Sequence, residues 1–300
     1  MRRRRKEAKG DLRDVSSRIV VKAIIEATTG LHIGSGVSSL DPSATDSPVI
    51  RDGGGRPFIP GSSFKGASRA HIERIVRGLN NPHLKSCDPL ADPCLTTDIY
   101  KCIKLEATKG ATADGELDRS LFDSLITDKI VSRSCDVCRL FGSNYLSSHL
   151  LIKDLFIVPE SWFNRTEIRD GVGIDRDTET ARTSIKYDFE VLPSASRFSL
   201  QVAAENADAT SMGLLALLIG ELERGRIALG GKTTRGLGGV RLILGEISVT
   251  GDGDADDIAG DGSTDVLDYL LSGSGKRLLA KQSAEYLERK SAALAATLRN

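Results

Sequence analysis

Apolar spacing changes several times along the chain, and each change predicts an element. Ile19 to Ala27 (IVVKAIIEA) is short and rich in β-branched residues, as a buried strand requires, and the stretch from there to Pro48 reads as loop. Val49 and Ile50 lead into the turn signal Asp52-Gly-Gly-Gly before Pro57-Phe-Ile-Pro. Ser62 then predicts the cap of a helix reaching about Leu79, with Phe64, Ala67, Ala70, Ile72 and Ile75 on its apolar face. Residues 80–145 show little periodicity beyond a short helix near Leu117 to Ile130, and read as an insertion. Leu150 to Val158 predicts a second strand, Arg197 to Glu205 a third, Ser211 to Arg224 an apolar helix and Gly238 to Val249 a fourth strand. Residues 159–193 are too long and too charged for a simple connection, and predict a projecting hairpin or thumb.

The order β-α-β-β-α-β is ferredoxin-like, an α+β arrangement, here spanning residues 18–250. Residues 1–17 form a polar basic arm without periodicity, and residues 251–300 read as an acidic linker followed by a helical tail.

Composition narrows the function classes only slightly. Hydrophobic residues make up 40% of 300, enough for a real core, and Lys plus Arg equal Asp plus Glu at 41 each, so net charge selects no partner. Charge is nevertheless unevenly placed. Arg2 to Lys6 crowd the start, where contact with phosphates competes with a solvated arm, and Asp252 to Asp261 crowd a glycine-rich stretch near the end. That acidic stretch lacks the glycine and terminal Glu of a calcium loop, having Asp257 and Ser263 at those places. With no apolar run near the roughly 20 residues that span a bilayer and no secretory signal, the expected location is the cytoplasm.

Two constellations suit an anionic ligand. In the first, Leu31-His-Ile-Gly-Ser-Gly and Thr45-Asp-Ser-Pro-Val-Ile-Arg-Asp place His32 and Asp46 in loops after a strand. Ile59-Pro-Gly-Ser-Ser-Phe-Lys-Gly opens a helix whose first N–H groups, with Ser62 and Ser63, suit a phosphate, and Lys65 and Arg69 lie four apart on one face of it. The competing description is a capped surface helix beside an ordinary loop. The second is Leu229-Gly-Gly-Lys-Thr-Thr-Arg-Gly-Leu-Gly-Gly-Val, where glycines permit close backbone approach and Lys232 and Arg235 favour phosphate. A nucleotide P-loop is excluded because Arg226 stands where its first glycine belongs, which leaves an anion loop or a sharp turn.

The cysteines form a third constellation. All five fall between Cys87 and Cys138, and Cys135-Asp-Val-Cys138 has the spacing with which two thiolates grip one tetrahedral ion. In a coil-rich insertion this favours structural zinc over a redox dithiol. The expected ligands are Cys87, Cys94, Cys135 and Cys138, with Cys102 as a substitute for one of the upstream pair.

Taken together, the two anion constellations, in this order and at the two ends of this pattern, resemble the RAMP superfamily of CRISPR proteins. Within it, Thr45-Asp-Ser-Pro-Val-Ile-Arg-Asp and Pro60-Gly-Ser-Ser-Phe-Lys-Gly are similar to the repeated backbone subunit of type III effector complexes. The resemblance covers about residues 18–250 and is strongest at its ends and in Gly171 to Pro193. It implies a subunit that stacks with other copies or paralogues and the remaining effector subunits along a guide CRISPR RNA. It also implies that a thumb kinks the duplex of guide and complementary target RNA. On this sequence the thumb maps to Asp170–Leu192, with Arg176 and Arg182 as RNA contacts beside His32, Ser62, Ser63, Lys65, Arg69, Lys232 and Arg235. The family's catalytic acid maps to Asp46, implying an endoribonuclease assisted by a divalent cation, Mg2+ by expectation. Two other functions compete: a scaffold subunit that binds RNA without cutting, and a guide-processing ribonuclease. The latter usually needs a catalytic histidine, and His32, His71, His83 and His149 have no evident general-base partner in sequence.

Overall fold

Alternation along the first strand sets the architecture. In the computed structural model, which describes residues 15–36, 45–113 and 116–299, β1 (Arg18–Ala27) turns Ile19, Val21, Ala23, Ile25 and Ala27 inward. The intervening residues face the other side of the sheet. Chain order continues with β2 (Phe58–Ile59), α1 (Gly61–Leu79), α2 (Thr97–Ala111), β3 (Thr112–Ala113), β4 (Glu116–Leu117), α3 (Arg119–Arg133) and α4 (Asp136–Phe141). Then come β5 (Leu150–Ile152), β6 (Leu155–Phe156), β7 (Glu167–Ile174), β8 (Ala181–Val191), β9 (Arg197–Glu205), α5 (Ala209–Glu223) and β10 (Val240–Thr250). The last elements are α6 (Val266–Ser272), β11 (Lys276–Leu278) and α7 (Ala280–Arg299).

The protein is a mixed α+β molecule around one antiparallel five-stranded sheet, ordered β11-β10-β1-β9-β5. Each major crossover skips one strand. The chain passes from β1 through α1 to β5 with β9 between them, and from β9 through α5 to β10 with β1 between them. Helix α5 is apolar nearly all round because it is covered twice, by the sheet and by α7, with Gly213 so close to Leu294 that a Cβ there would lie 2.5 Å from the Leu294 Cβ. Fully buried Phe64, Ile72, Phe198 and Ile25 anchor the core, each contributing about 1.5–3 kcal/mol of burial. On the opposite face, Glu26 bridges Arg197 of β9 at 2.8 Å and Arg241 of β10 at 2.7 Å, holding register across three strands. These pairs are well solvated and fix alignment more than stability. Gly245 permits the bulge where β10 passes Lys22, since a Cβ would meet the Lys22 carbonyl at 2.8 Å.

Several sequence expectations need correction. Ser62 does not cap α1: Pro60 occupies the cap position without a side-chain bond, and the Gly61 N–H donates instead to Asp154 Oδ1 at 2.8 Å. The strand expected over Leu150 to Val158 is interrupted between β5 and β6; β6 pairs with β2, and the chain rejoins β9 at Ile157, which bridges Phe198. The insertion holds two long helices, α2 and α3, where one short helix was expected; α2 buries only Ile103, Ala107 and Ala111, too sparse a stripe to stand out in sequence. The segment expected as an acidic linker and helical tail is interrupted by β11, which joins the sheet beside β10. Asp252 accepts from Tyr286 Oη at 2.5 Å and pairs with Lys290 Nζ at 2.7 Å, so the acidic stretch is the docking partner of α7. We expect Lys290→Met to destabilise the chain by about 3 kcal/mol in chemical denaturation, because it strands a largely buried carboxylate, whereas Arg289→Met should change little. Among the described residues no helix is long and apolar enough to cross a membrane.

Candidate functional site

Three loops and one strand root meet at the end of the sheet where β1 finishes and β9 and β10 begin. The hairpin expected at residues 159–193 is present as the antiparallel pair β7 and β8, with Asp175 capping its tip through the N–H groups of Asp177 and Thr178. Its root, Tyr187 to Val191, alternates. Phe189 and Val191 pack inward with Leu237, and Asp188 and Glu190 reach the loop that carries Asp46.

That loop is sewn to the root by backbone and side chain together. Ser47 forms a parallel bridge with Phe189, and the Glu190 N–H donates to the Ser47 carbonyl at 3.0 Å. The Glu190 carboxylate accepts from the Val49 N–H at 2.9 Å, from Arg51 at 3.1 Å and from Thr166 Oγ1 at 3.1 Å. Asp46 and Asp188 clasp each other. The Asp46 N–H donates to Asp188 Oδ1 at 2.7 Å, and the Asp188 N–H donates to Asp46 Oδ2 at 3.0 Å. Asp46 is exposed, so its carboxylate is held by the protein yet open to a ligand.

His32 lies beneath this surface, only 4% exposed. Its Nδ1 is 2.6 Å from the Glu190 carbonyl, which can only accept, so Nδ1 carries a proton; Nε2 is 3.3 Å from the Ser47 hydroxyl. With its edge toward Phe189, the imidazole holds two loops together from inside instead of meeting a ligand directly, which departs from the expected RNA contact.

The glycine-rich loop completes the group. Lys232 places Nζ 4.3 Å from the Phe189 ring centroid and 4.9 Å from that of Tyr187, and Arg235 donates to the Tyr187 hydroxyl at 2.5 Å. The loop can approach His32 because it lacks side chains: Gly231 donates to the His32 carbonyl at 2.9 Å, and a Cβ on Gly230 would sit 2.2 Å from that same oxygen. Gly230 also has φ +79°. Gly230→Ala is therefore expected to cost more than about 1 kcal/mol, measured by denaturant titration; Gly66→Ala, which faces open space on α1, should be neutral or better.

The remaining candidates form a second group along α1. Ser62 and Ser63 are exposed in its first turn, but the Gly61 N–H is already taken by Asp154. Lys65 reaches the Leu150 carbonyl at 3.5 Å, and burial, with Arg69 nearby, pulls it below the ordinary lysine value. Arg69 does not share a site with it. The guanidinium binds Glu73 at 2.7 Å, the Gly142 carbonyl at 2.8 Å and Cys138 Sγ at 3.2 Å. At the hairpin tip Arg176 is exposed, while the Arg182 side chain lies outside the described ones, as do Arg2 to Lys6.

Cys87, Cys94, Cys135 and Cys138 converge, their sulfurs all within 4.8 Å of one another, whereas Cys102 is exposed on α2. Four thiols at this separation can hold a metal ion. The Cys87 and Cys138 N–H groups each donate to Cys135 Sγ at 3.4 Å, the second because Cys135 caps α4. These bonds, with the Cys138 thiol donating as the largest contribution, lower Cys135 to about 5, while burial raises Cys87 to about 11. Arg69 brings a positive charge to the cluster at Cys138.

Sequence reasoning passed over Asp188, Glu190, Tyr187 and Phe189 as site residues. The available signal was the strict alternation of aromatic and acidic residues in Tyr187-Asp-Phe-Glu, unusual at the end of an otherwise exposed hairpin.

Fold and site together define an α+β protein in which a split β-α-β sheet gathers a cationic glycine loop, an aromatic strand root and an exposed loop carboxylate at one end. The chain belongs to the RAMP superfamily, whose family model matches residues 24–241. Three relatives carry the name CRISPR system Cms endoribonuclease Csm3. The protein of Methanothermobacter thermautotrophicus is 26% identical over 247 residues, 74% of this chain and 82% of the relative. The Enterococcus italicus protein is 26% identical over 245 residues, 81% of this chain and 98% of the relative. A shorter match, 48% identical over 60 residues, covers 20% of this chain and 24% of the Methanocaldococcus jannaschii protein.

Proposed function

We propose that this chain is the repeated, guide-RNA-binding backbone subunit of a type III CRISPR effector complex and cleaves complementary target RNA with Asp46. Relatives named as CRISPR endoribonucleases along most of its length support the reading. The observation that carries it is the position of Asp46: an exposed carboxylate, clasped to the root of a long hairpin and flanked by a cationic glycine loop. The core is ferredoxin-like, in keeping with the skipped-strand crossovers. Guide phosphates follow Lys232 and Arg235, the half-buried Tyr187 ring flanks the path, and Arg176 and Arg182 reach the duplex from the thumb. Ser62, Ser63 and Lys65 line a second stretch of contact along α1, and His32 supports the path from beneath. Other copies or paralogues and the remaining effector subunits complete the assembly.

Cleavage follows from RNA chemistry. When the thumb splays the target backbone, a 2′-hydroxyl lines up with the adjacent phosphorus, its oxygen forms the new P–O bond and the P–O5′ bond breaks, the departing 5′-oxygen taking a proton from water. Asp46 accepts the hydroxyl proton or holds a divalent cation, for which its hard carboxylate oxygens are suited. A bound Mg2+ would supply charge stabilisation to the phosphorane. The cysteine cluster suits structural zinc by number, softness and spacing of ligands.

The test is a target carrying a single 2′-deoxynucleotide at the scissile position, offered to the assembled complex. Cleavage there is expected to stop while neighbouring positions are cut, and products elsewhere to end in 2′,3′-cyclic phosphate and 5′-hydroxyl groups. Full-rate cleavage at the deoxy position would remove the proposed chemistry.

A further inference from the structure

We infer that Asp188 is the positioning residue for Asp46, and that through it the root of the hairpin and the acid of the cutting loop move as one unit. This deepens the proposed function and rests on it. Asp46 stands at the end of the paired part of its loop. The backbone ladder between the two segments, Ser47 with Phe189 and the Glu190 N–H with the Ser47 carbonyl, runs no further toward Asp46 than that bridge. Beyond it, side chains take over the task of main chain: each aspartate carboxylate accepts the N–H of the other residue, at 2.7 and 3.0 Å.

The consequence for chemistry is directional. The bond from the Asp188 N–H fixes Asp46 Oδ2, while the bond to Asp188 Oδ1 fixes the Asp46 backbone from which that carboxylate hangs. One bond on the carboxylate and one on the backbone that carries it leave little room for its torsion angles, and reactions that depend on in-line attack lose about two orders of magnitude on a displacement of about 1 Å. Because Asp188 belongs to β8, whose partner strand leads to the hairpin tip, bending of the hairpin by bound RNA is passed to the acid by main chain.

The inference is tested by single-turnover cleavage in complexes assembled with Asp188→Ala, Asp188→Asn and, as control, Asp46→Ala. Asp188→Ala is expected to lower the cleavage rate at saturating target about 10- to 100-fold with guide and target affinity within about twofold. Asp188→Asn retains an oxygen that accepts the Asp46 N–H and should recover to within a few-fold of the unaltered rate. An Asp188→Ala complex cutting at full rate, beside an inactive Asp46→Ala complex, would overturn the inference alone. Asn as damaging as Ala would overturn it too, by showing that charge and not placement is what Asp188 supplies. A fully active Asp46→Ala complex would instead remove the proposed active site.

Discussion

Asp46→Ala is expected to abolish target cleavage, a loss of about 10²- to 10⁴-fold, in complexes that still assemble and hold guide RNA. The size follows from what a positioned proton acceptor or metal-holding carboxylate contributes, and the selectivity from where the residue sits. Asp46 is exposed and lies outside the hydrophobic clusters, so its removal leaves the core untouched. Asp46→Asn sharpens the result. It keeps an oxygen for the Asp188 N–H, and so the shape of the clasp, but removes the charge; it should be as inactive as alanine if the carboxylate does chemistry. An assembled Asp46→Ala complex that cuts normally would make the chain a scaffold and move the nuclease elsewhere.

The second large effect concerns metal. Elemental analysis is expected to find about one zinc ion per chain, lost in Cys138→Ala and on prolonged chelation. Structural zinc supplies on the order of 10 kcal/mol or more to small domains that depend on it, so its loss should open the insertion to protease and lower the thermal midpoint of the whole chain. The effect spreads because α4 is shared: Cys138 belongs to the helix whose Val137, Leu140 and Phe141 are buried in the main core. Cys102→Ala should leave metal content and stability unchanged. A metal-free preparation with the same midpoint and the same protease pattern would show that the four thiols hold no ion.

Local rules made much of this molecule legible. The alternation of β1, the apolar density of α5, the glycine punctuation of residues 229–239 and the cysteine spacing each act over a few residues, and each was readable because its cause is local. The grouping of Cys87, Cys94, Cys135 and Cys138 was legible for a chemical reason: a Cys-x2-Cys pair with upstream cysteines in the same segment is a spacing that lets four thiols converge. Where local signal was weak, reading failed. Helix α2 buries few apolar side chains, and β11 is three residues long, so both depend on neighbours contributed from elsewhere in the chain.

Asp46 shows the division most clearly. Its place in a recognisable segment marked it as a candidate, and its residue type restricted it to acid, base or ligand chemistry. That Asp188, 142 residues away, would hold it was decided by tertiary structure alone, since only folding of the hairpin root against the loop brings the two N–H groups and two carboxylates within hydrogen-bond reach. Likewise the sequence supplied His32 and Arg69 as polar candidates for RNA, while packing sent the first under Phe189 and the second to the cysteine cluster. Amino-acid order determines which groups a segment can offer; which of them reach solvent and which are consumed in holding the fold is settled by long-range burial, because a buried polar atom must find a partner wherever the chain provides one.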